Sequence, residues 1–259
     1  MKKKSFLLTF YPILMTVLTY LPILVVVVYS FNESRLTSTF EGFSLKWYAL
    51  LFKDKNMLTA LFNSVILALS SSLLAAIIAT SAALSFKKTR LAGKHLIEKA
   101  SLLPLIIPEI ILGMVFMAFF SLMGFRFGFA TLIIAHTAFC IPYVYTQVSA
   151  KLEMLDSSFS EAARDLGASG LCAFFTVTLP LILPAILSGI FLSFAMSFDD
   201  VIISVFCTGS SVNTLPVMVY TQLKTGVTPQ INALCTIMLA ITLLFYTISA
   251  IIKNKGAKK

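Results

Sequence analysis

The feature of this sequence that most restricts its possible folds is a set of long apolar stretches without any Asp, Glu, Lys or Arg. They cover residues 5–32, 56–86, 110–125, 127–150, 166–198, 201–223 and 225–252. A helix needs about 20 residues to cross the bilayer core, whereas barrel strands are about ten residues long and alternate strictly. Charged residues make up only 12% of the chain, about half of the roughly 25% found in soluble domains. The pattern excludes an ordinary water-soluble enzyme and a disordered chain, and it predicts an all-α integral membrane protein.

The apolar stretches predict a single transmembrane domain over residues 1–259 with six helices. Allowing for loops at their ends, the helices are expected near 8–30, 62–86, 100–122, 129–150, 180–206 and 230–252. The first stretch is too long for the core of a signal peptide and no Ala-x-Ala site follows it, so we expect a retained helix. An aromatic cluster predicts a helix at the membrane interface over 40–55, with a seat for an external protein as the alternative. The cluster consists of Phe43, Trp47, Tyr48, Leu51 and Phe52.

The distribution of positive charge predicts the orientation. Six spans place both termini on one side, and 14 of the 20 Lys and Arg residues fall in the segments of that side, against 6 on the other. The positive-inside rule makes the richer side cytoplasmic, so both termini are expected in the cytoplasm. The net charge of +9 then reflects topology and contact with anionic lipid, and nucleic acid is not expected as a partner.

The cysteines and histidines give no sign of a metal or redox centre. Four cysteines lie far apart without a Cys-x-x-Cys pair, and the chain has two histidines, His95 and His136. We therefore predict no metal site. His136 lies within the fourth predicted span, where a lone histidine more often makes a hydrogen bond between helices than binds a ligand.

The most informative segment is the long loop at 151–179. Ser158 and Glu161 have the spacing of a capping box, and Gly167 stands where a left-handed residue would end the short helix. Ser169 could then cap a second helix. An apolar stripe marks one face of the first helix, with Phe159, Ala162, Ala163 and Leu166. A helix of about two turns has only marginal stability by itself. We therefore expect it either to dock on a partner or to pack against the cytoplasmic ends of the chain's own helices.

The same loop carries a recognisable motif. Glu161-Ala162-Ala163, three residues, Gly167, nine residues and Val177-Thr178-Leu179-Pro180 resemble the EAA loop of ABC importer permeases, with Val177 in place of Ile. The resemblance implies a coupling helix that docks on a separate cytoplasmic ATPase. The residues implied in this coupling are Glu161, Ala162, Ala163, Arg164 and Gly167.

The sequence contains no Gly-x-x-x-x-Gly-Lys-Ser/Thr motif, so the chain itself is not expected to bind ATP or to act as an enzyme. No cofactor is expected in this chain. ATP and Mg²⁺ would be bound by the partner ATPase.

Three carboxylates lie within predicted spans: Glu109, Asp199 and Asp200. Each costs about 2.5–3.5 kcal/mol at a helix centre, so such groups rarely persist without a role. The spans hold no Lys or Arg, so the missing cation is either the cargo or a group on a partner; protonated acids are a third reading. Phe198 and Tyr143 could add cation–π attraction to a cationic cargo. Because neighbours on a helix point about 100° apart, one of the two aspartates is expected to face a pathway and the other a neighbouring helix or cap.

Further motifs resemble the spermidine/putrescine permeases. They are Tyr29-Ser30-Phe31-Asn32, Gly42 to Tyr48, Pro104 to Gly113, and Ser197-Phe198-Asp199-Asp200 to Ser204 with Thr208-Gly209. The resemblance implies a subunit in the bacterial inner membrane that imports polyamines by alternating access. Its implied partners are a second, homologous permease, two copies of an ABC ATPase and an external polyamine-binding protein. The alternatives are a secondary transporter of organic cations driven by an ion gradient and an ABC permease for another small solute.

Overall fold

The computed structural model describes residues 6–35, 39–88, 93–156, 158–209, 212–226 and 228–256. These residues are mostly helical, with an isolated antiparallel bridge between Asn32 and Phe43. The helices are α1 (Phe6–Tyr29), α2 (Lys46–Lys53), α3 (Lys55–Lys88), α4 (Lys94–Ser101), α5 (Leu103–Ile106), α6 (Glu109–Leu122), α7 (Phe129–Glu153), α8 (Ser158–Asp165), α9 (Gly170–Ala173), a π-helical turn (Phe174–Thr178), α10 (Leu179–Asp199), α11 (Ile202–Cys207), α12 (Leu215–Thr225) and α13 (Pro229–Gly256).

The all-α membrane architecture agrees with the prediction. Within the described residues, four helical stretches are long and apolar enough to cross a bilayer: Phe10–Tyr29, Lys55–Lys87, Phe129–Glu153 and Gly170–Asp199. Glu109–Leu122 and Pro229–Leu243 are shorter apolar helices. The count of six spans therefore stays a prediction.

Two of the predicted helices are not continuous. The expected helix at 100–122 is interrupted at Ile107 and Pro108, whose ψ angles of 131° and 133° are extended. Proline lacks a backbone N–H and disfavours helix at the preceding residue, which explains this break. The expected helix at 180–206 ends at Asp199, because Asp200 is extended with ψ 125° and α11 begins only at Ile202.

The chain divides into two compact units, residues 1–58 with 219–259, and residues 59–218. In the first unit, α13 packs against α1 and α2. Gln230 on α13 donates to Asp54, which also caps the start of α3 by accepting the Asn56 and Met57 N–H groups at 3.1 Å. These bonds tie the short α2–α3 junction to the C-terminal helix.

The aromatic segment at 40–55 of the first unit differs from its prediction. Helix covers only Lys46–Lys53, and Trp47 is buried, with 7% of its surface exposed. Its indole nitrogen donates to the Asn32 carbonyl at 2.7 Å, and Tyr48 shares a 2.7 Å hydrogen bond with Ser30. Trp47 and Tyr48 thus bind the segment after α1, whereas Phe43 and Phe52 are exposed. The position of α2 at the membrane interface stays a prediction.

The second unit is built around the packing of α7 against α10. Gly189 on α10 allows the close approach, since a Cβ atom there would lie 2.9 Å from the Val144 Cα. Phe139, Val144 and Val148 of α7 and Ile182 of α10 are fully buried in this core. Small residues at such crossings let helix backbones pack by van der Waals contact, which drives helix association in lipid.

Candidate functional site

The segment from Ser158 to Thr178, here called the elbow, begins at an Asx cap. The Ser158 N–H donates to the Asp156 carboxylate at 3.0 Å, so the expected capping box between Ser158 and Glu161 is wrong at this point. The competing acceptor is an aspartate two residues earlier, a spacing that favours a local turn. Hydrogen bonds from the Ser158 backbone and side chain, helped by Lys87, hold the pKa of Asp156 below its usual value.

The turn of the elbow has the predicted geometry. Gly167 has φ +88°, and its N–H donates to the Arg164 carbonyl while the Ala168 N–H donates to Ala163 at 3.0 Å. This pair of bonds is a Schellman motif, which satisfies the last carbonyls of a helix. Ser169 then caps α9 by accepting the Cys172 N–H at 3.2 Å.

The outer surface of the elbow is exposed. None of the residues of α8 is buried, and 54% of Phe159 and 90% of Leu166 are exposed. Glu161 and Arg164 are also exposed. Of the two arrangements considered from sequence, packing against the chain's own bundle therefore does not account for this apolar stripe.

Lys87 anchors the segment that precedes the elbow. The Lys87 ammonium, at the end of α3, donates to the carbonyls of Leu152 at 2.5 Å and Leu155 at 2.9 Å. These carbonyls lie at the end of α7, where a cation also meets the negative end of the helix dipole. The elbow consequently starts from a point held by two helices.

The predicted acidic residues lie near one another. Glu109 is the first residue of α6 and Asp199 the last of α10, and both are exposed. Glu109 lies within electrostatic range of Asp199, Asp200 and Tyr143. Phe198 is half-buried and stacks on Phe194 with ring centroids 5.8 Å apart. The fold thus places Glu109 within electrostatic range of both aspartates and of Tyr143, while the described ring contact of Phe198 is to another phenylalanine.

Asp200 is placed differently from Asp199. Only 7% of Asp200 is exposed, and its two carboxylate oxygens accept the backbone N–H groups of Ile203 at 3.2 Å and Ser204 at 2.8 Å. It therefore caps α11, as expected for one member of the pair. A carboxylate that caps a helix is stabilised by the hydrogen bonds and by the helix dipole.

His136 of α7 lies beside this cap. Its Nδ1 atom is 2.8 Å from the Ser197 hydroxyl, and its Nε2 atom is 3.1 Å from the Ser204 hydroxyl and 3.5 Å from an Asp200 oxygen. The Ser197 hydroxyl in turn lies 3.1 Å from that of Ser71 on α3. The predicted hydrogen bond between helices is confirmed.

Sequence reasoning missed the three serines of this network. Ser197, Asp200 and Ser204 have the i, i+3, i+7 spacing that would share one face of the single helix predicted at 180–206. That spacing was the available signal. Ser71 had none, because its partner is distant in sequence. Among the described residues, no group of three or more His, Cys, Asp or Glu could hold a metal ion.

Comparison with known families identifies the architecture. The family described as "Binding-protein-dependent transport system inner membrane component" matches residues 72–254. The chain belongs to this family. It is thus a multi-pass permease subunit of the inner membrane, in agreement with the resemblance seen in the EAA loop.

Two curated relatives resemble most of the permease. One is the spermidine/putrescine transport system permease protein PotC of Haemophilus influenzae, 38% identical over 237 residues, which are 92% of each chain. Another is the putrescine transport system permease protein PotI of Escherichia coli, 38% identical over 85% of this chain and 81% of that protein. A crystal structure of a bacterial ABC transporter involved in alginate import has the same fold, with TM-score 0.67, 15% identity, and coverage of 95% and 94% of the two chains.

Proposed function

We propose that this permease imports polyamines, spermidine or putrescine, as a translocation subunit driven by ATPases on separate chains. The single observation that supports this cargo most is the 38% identity to PotC over 92% of the chain. PotC and PotI share polyamine transport in their names, which favours this cargo over an unrelated small solute.

The arrangement of charge supports a cationic cargo. Glu109 and Asp199 are exposed on the same unit and near each other, and the predicted spans contain no Lys or Arg. Two neighbouring carboxylates repel each other, and a polyamine whose ammonium groups bind between them would remove this repulsion. Tyr143 lies close enough to Glu109 to offer an aromatic face to a bound ammonium group.

The elbow is proposed to receive the motion of the ATPase. Its exposed stripe of Phe159, Ala162, Ala163 and Leu166 would enter a cleft of the ATPase, where the two alanines permit close backbone approach. Glu161 and Arg164 would make charged contacts at the rim, and Gly167 would fix the angle between α8 and α9. ATP and Mg²⁺ would be bound by the ATPase alone.

The remaining subunits follow from this role. A second, homologous permease would complete the pathway, two ATPase copies would bind the two permeases, and an external binding protein would deliver the polyamine. In this arrangement both termini and the elbow lie in the cytoplasm, as the distribution of Lys and Arg indicates.

The test is uptake of labelled spermidine and putrescine into vesicles that contain the complete complex. We expect accumulation only with ATP on the side of the ATPase, unaffected by an uncoupler. Accumulation that needs no ATP and disappears with the uncoupler would instead indicate a secondary transporter. If another solute stimulated ATP hydrolysis by the complex and no polyamine were taken up, the chain would be an ABC permease of different specificity.

A further inference from the structure

The two adjacent aspartates at the end of α10 have different surroundings. Asp199 is exposed, whereas both oxygens of Asp200 accept backbone N–H groups of α11. The Nε2 atom of His136 lies 3.5 Å from the oxygen that also receives the Ser204 N–H. The Asp200 carboxylate is therefore occupied by groups of its own chain, and it has little capacity left for a cargo.

His136 joins the helices that meet at this corner. No part of its surface is exposed, and its two ring nitrogens contact Ser197 of α10 and Ser204 of α11. Through Ser197 the network continues to Ser71 of α3, which is also fully buried. Buried polar networks of this kind specify one arrangement strongly, because each member left unpaired would be costly in a medium without water.

The corner itself depends on this network. The backbone leaves the helix at Asp200, whose ψ angle is 125°, and re-enters it at Ile202. Asp199 is the last helical residue before the break, so its carboxylate lies at the junction of α10 and α11. His136 holds that junction from α7, because it contacts one residue on each side of the break.

We propose that His136 is a positioning residue for polyamine recognition, which holds Asp200 inward so that Asp199, together with Glu109, presents the charge that meets the cargo. This inference rests on the proposed function. In consequence this chain offers two carboxylates to a polyamine, not three. Asp200 and His136 influence the cargo only through Asp199.

A double-mutant cycle distinguishes action through Asp199 from direct contact. Spermidine uptake by the complete complex is measured for H136A, D200N and D199N, and for H136A and D200N each combined with D199N. We expect each single variant to raise KM by about tenfold, the effect of one lost charged contact, and neither combination to raise it more than about twofold beyond D199N. H136Q, which retains an N–H near the position of Nε2, should restore KM to near that of the wild type.

Several outcomes would overturn the proposal. A KM increase for D200N that is equally large with and without D199N would mean that Asp200 contacts the cargo directly. A fall in maximal rate for H136A at unchanged KM would mean that His136 only supports the fold. Absence of any ATP-dependent polyamine uptake by the wild-type complex would instead contradict the proposed function.

A labelling experiment gives a second, independent measurement. Cysteine is placed at 199 or at 200 in a chain whose exposed thiols have been removed by C172S and C235A. A cationic thiol reagent should modify D199C and spermidine should protect it, whereas D200C should not react. Modification of D200C with protection by spermidine would refute the assignment of Asp200 to the interior.

Discussion

Replacement of Gly167 by alanine tests the elbow, because the structure isolates one physical effect at this position. A Cβ atom on Gly167 would meet no heavy atom within 4 Å, so the substitution causes no steric overlap with neighbours. Its φ angle of +88° is nevertheless left-handed, which costs an ordinary L-residue about 1–2 kcal/mol. The whole effect of Gly167→Ala is therefore expected to be backbone strain.

That strain is large for so small an element. The eight residues of α8 form a helix that is marginal alone, and the Schellman bonds around Gly167 help to end it. A cost of about 1–2 kcal/mol shifts the equilibrium between the bent elbow and its alternatives by roughly five- to thirtyfold. If only the bent form docks, the apparent affinity of the ATPase falls by up to the same factor.

The assay is binding of the purified ATPase to permease-containing vesicles, together with ATP-dependent uptake. Gly167→Asn is the matched variant, since asparagine adopts the left-handed region more readily than alanine, and it should recover most of the affinity. Gly170→Ala serves as a control, because that glycine has no positive φ and its nearest neighbour is the flexible Arg164 side chain at 3.3 Å. Equal affinities for the Gly167→Ala and Gly170→Ala variants would refute the reasoning.

Three further predictions concern the elbow and the bundle. Glu161→Lys should leave insertion in the membrane intact and abolish ATPase activity coupled to transport, measured as spermidine-stimulated phosphate release; unchanged uptake would contradict the coupling role. Asp156→Ala, which removes the acceptor of the Ser158 N–H, should speed tryptic cleavage after Arg164 by a few-fold at neutral pH. Because the pKa of Asp156 is lowered from 3.8, the stabilisation of α8 by its carboxylate is present above that pH and is lost as the pH falls below it. Equal cleavage rates of the variant and the wild type at neutral pH would show that Asp156 does not stabilise α8. In Gly189→Ala, the new Cβ atom would lie 2.9 Å from the α7 backbone. This overpacking should destabilise the bundle by about 1–3 kcal/mol, of which the higher helix propensity of alanine offsets about 1 kcal/mol. Gly113→Ala meets only an aromatic side chain at 2.6 Å and should cost less, as judged by thermal unfolding in detergent.

The parts that could be predicted from sequence are those governed by local rules. The helix predicted at 8–30 agrees with α1 to within two residues at each end, and the one predicted at 129–150 lies within α7, because hydrophobic length is a property of contiguous residues. The turn at Gly167 and the cap at Ser169 were also predictable, since both depend on residues within a few positions. Helix α8 begins at Ser158 as expected, but its capping partner was predicted wrongly, because Asp156 and Glu161 compete for the same Ser158 N–H and sequence does not rank them.

The parts that could not be predicted depend on neighbours distant in sequence. The apolar stretch resumes directly after Asp200, so hydropathy predicts one helix through this point, and the break between α10 and α11 is seen only in the contacts of Asp200 with the α11 backbone. The inward position of the Trp47 indole also depends on a neighbour outside its own helix, since its N–H donates to the Asn32 carbonyl. The proposal that Asp199 rather than Asp200 meets the cargo likewise depends on the burial of Asp200, which the sequence does not show.

The uninterrupted helical stretch from Gly170 to Asp199, 30 residues long, has a mechanical consequence. At 1.5 Å per residue it is a rod of roughly 45 Å, with the elbow's turn at one end and the acidic residues at the other. If the ATPase moves the elbow as proposed, a continuous helix of this length would transmit the movement to its far end as a rigid body, without a series of rearranged side-chain contacts. Two features disturb its regular winding, the π-helical turn at Phe174–Thr178 and Pro184 within α10, and these are the points at which bending is expected.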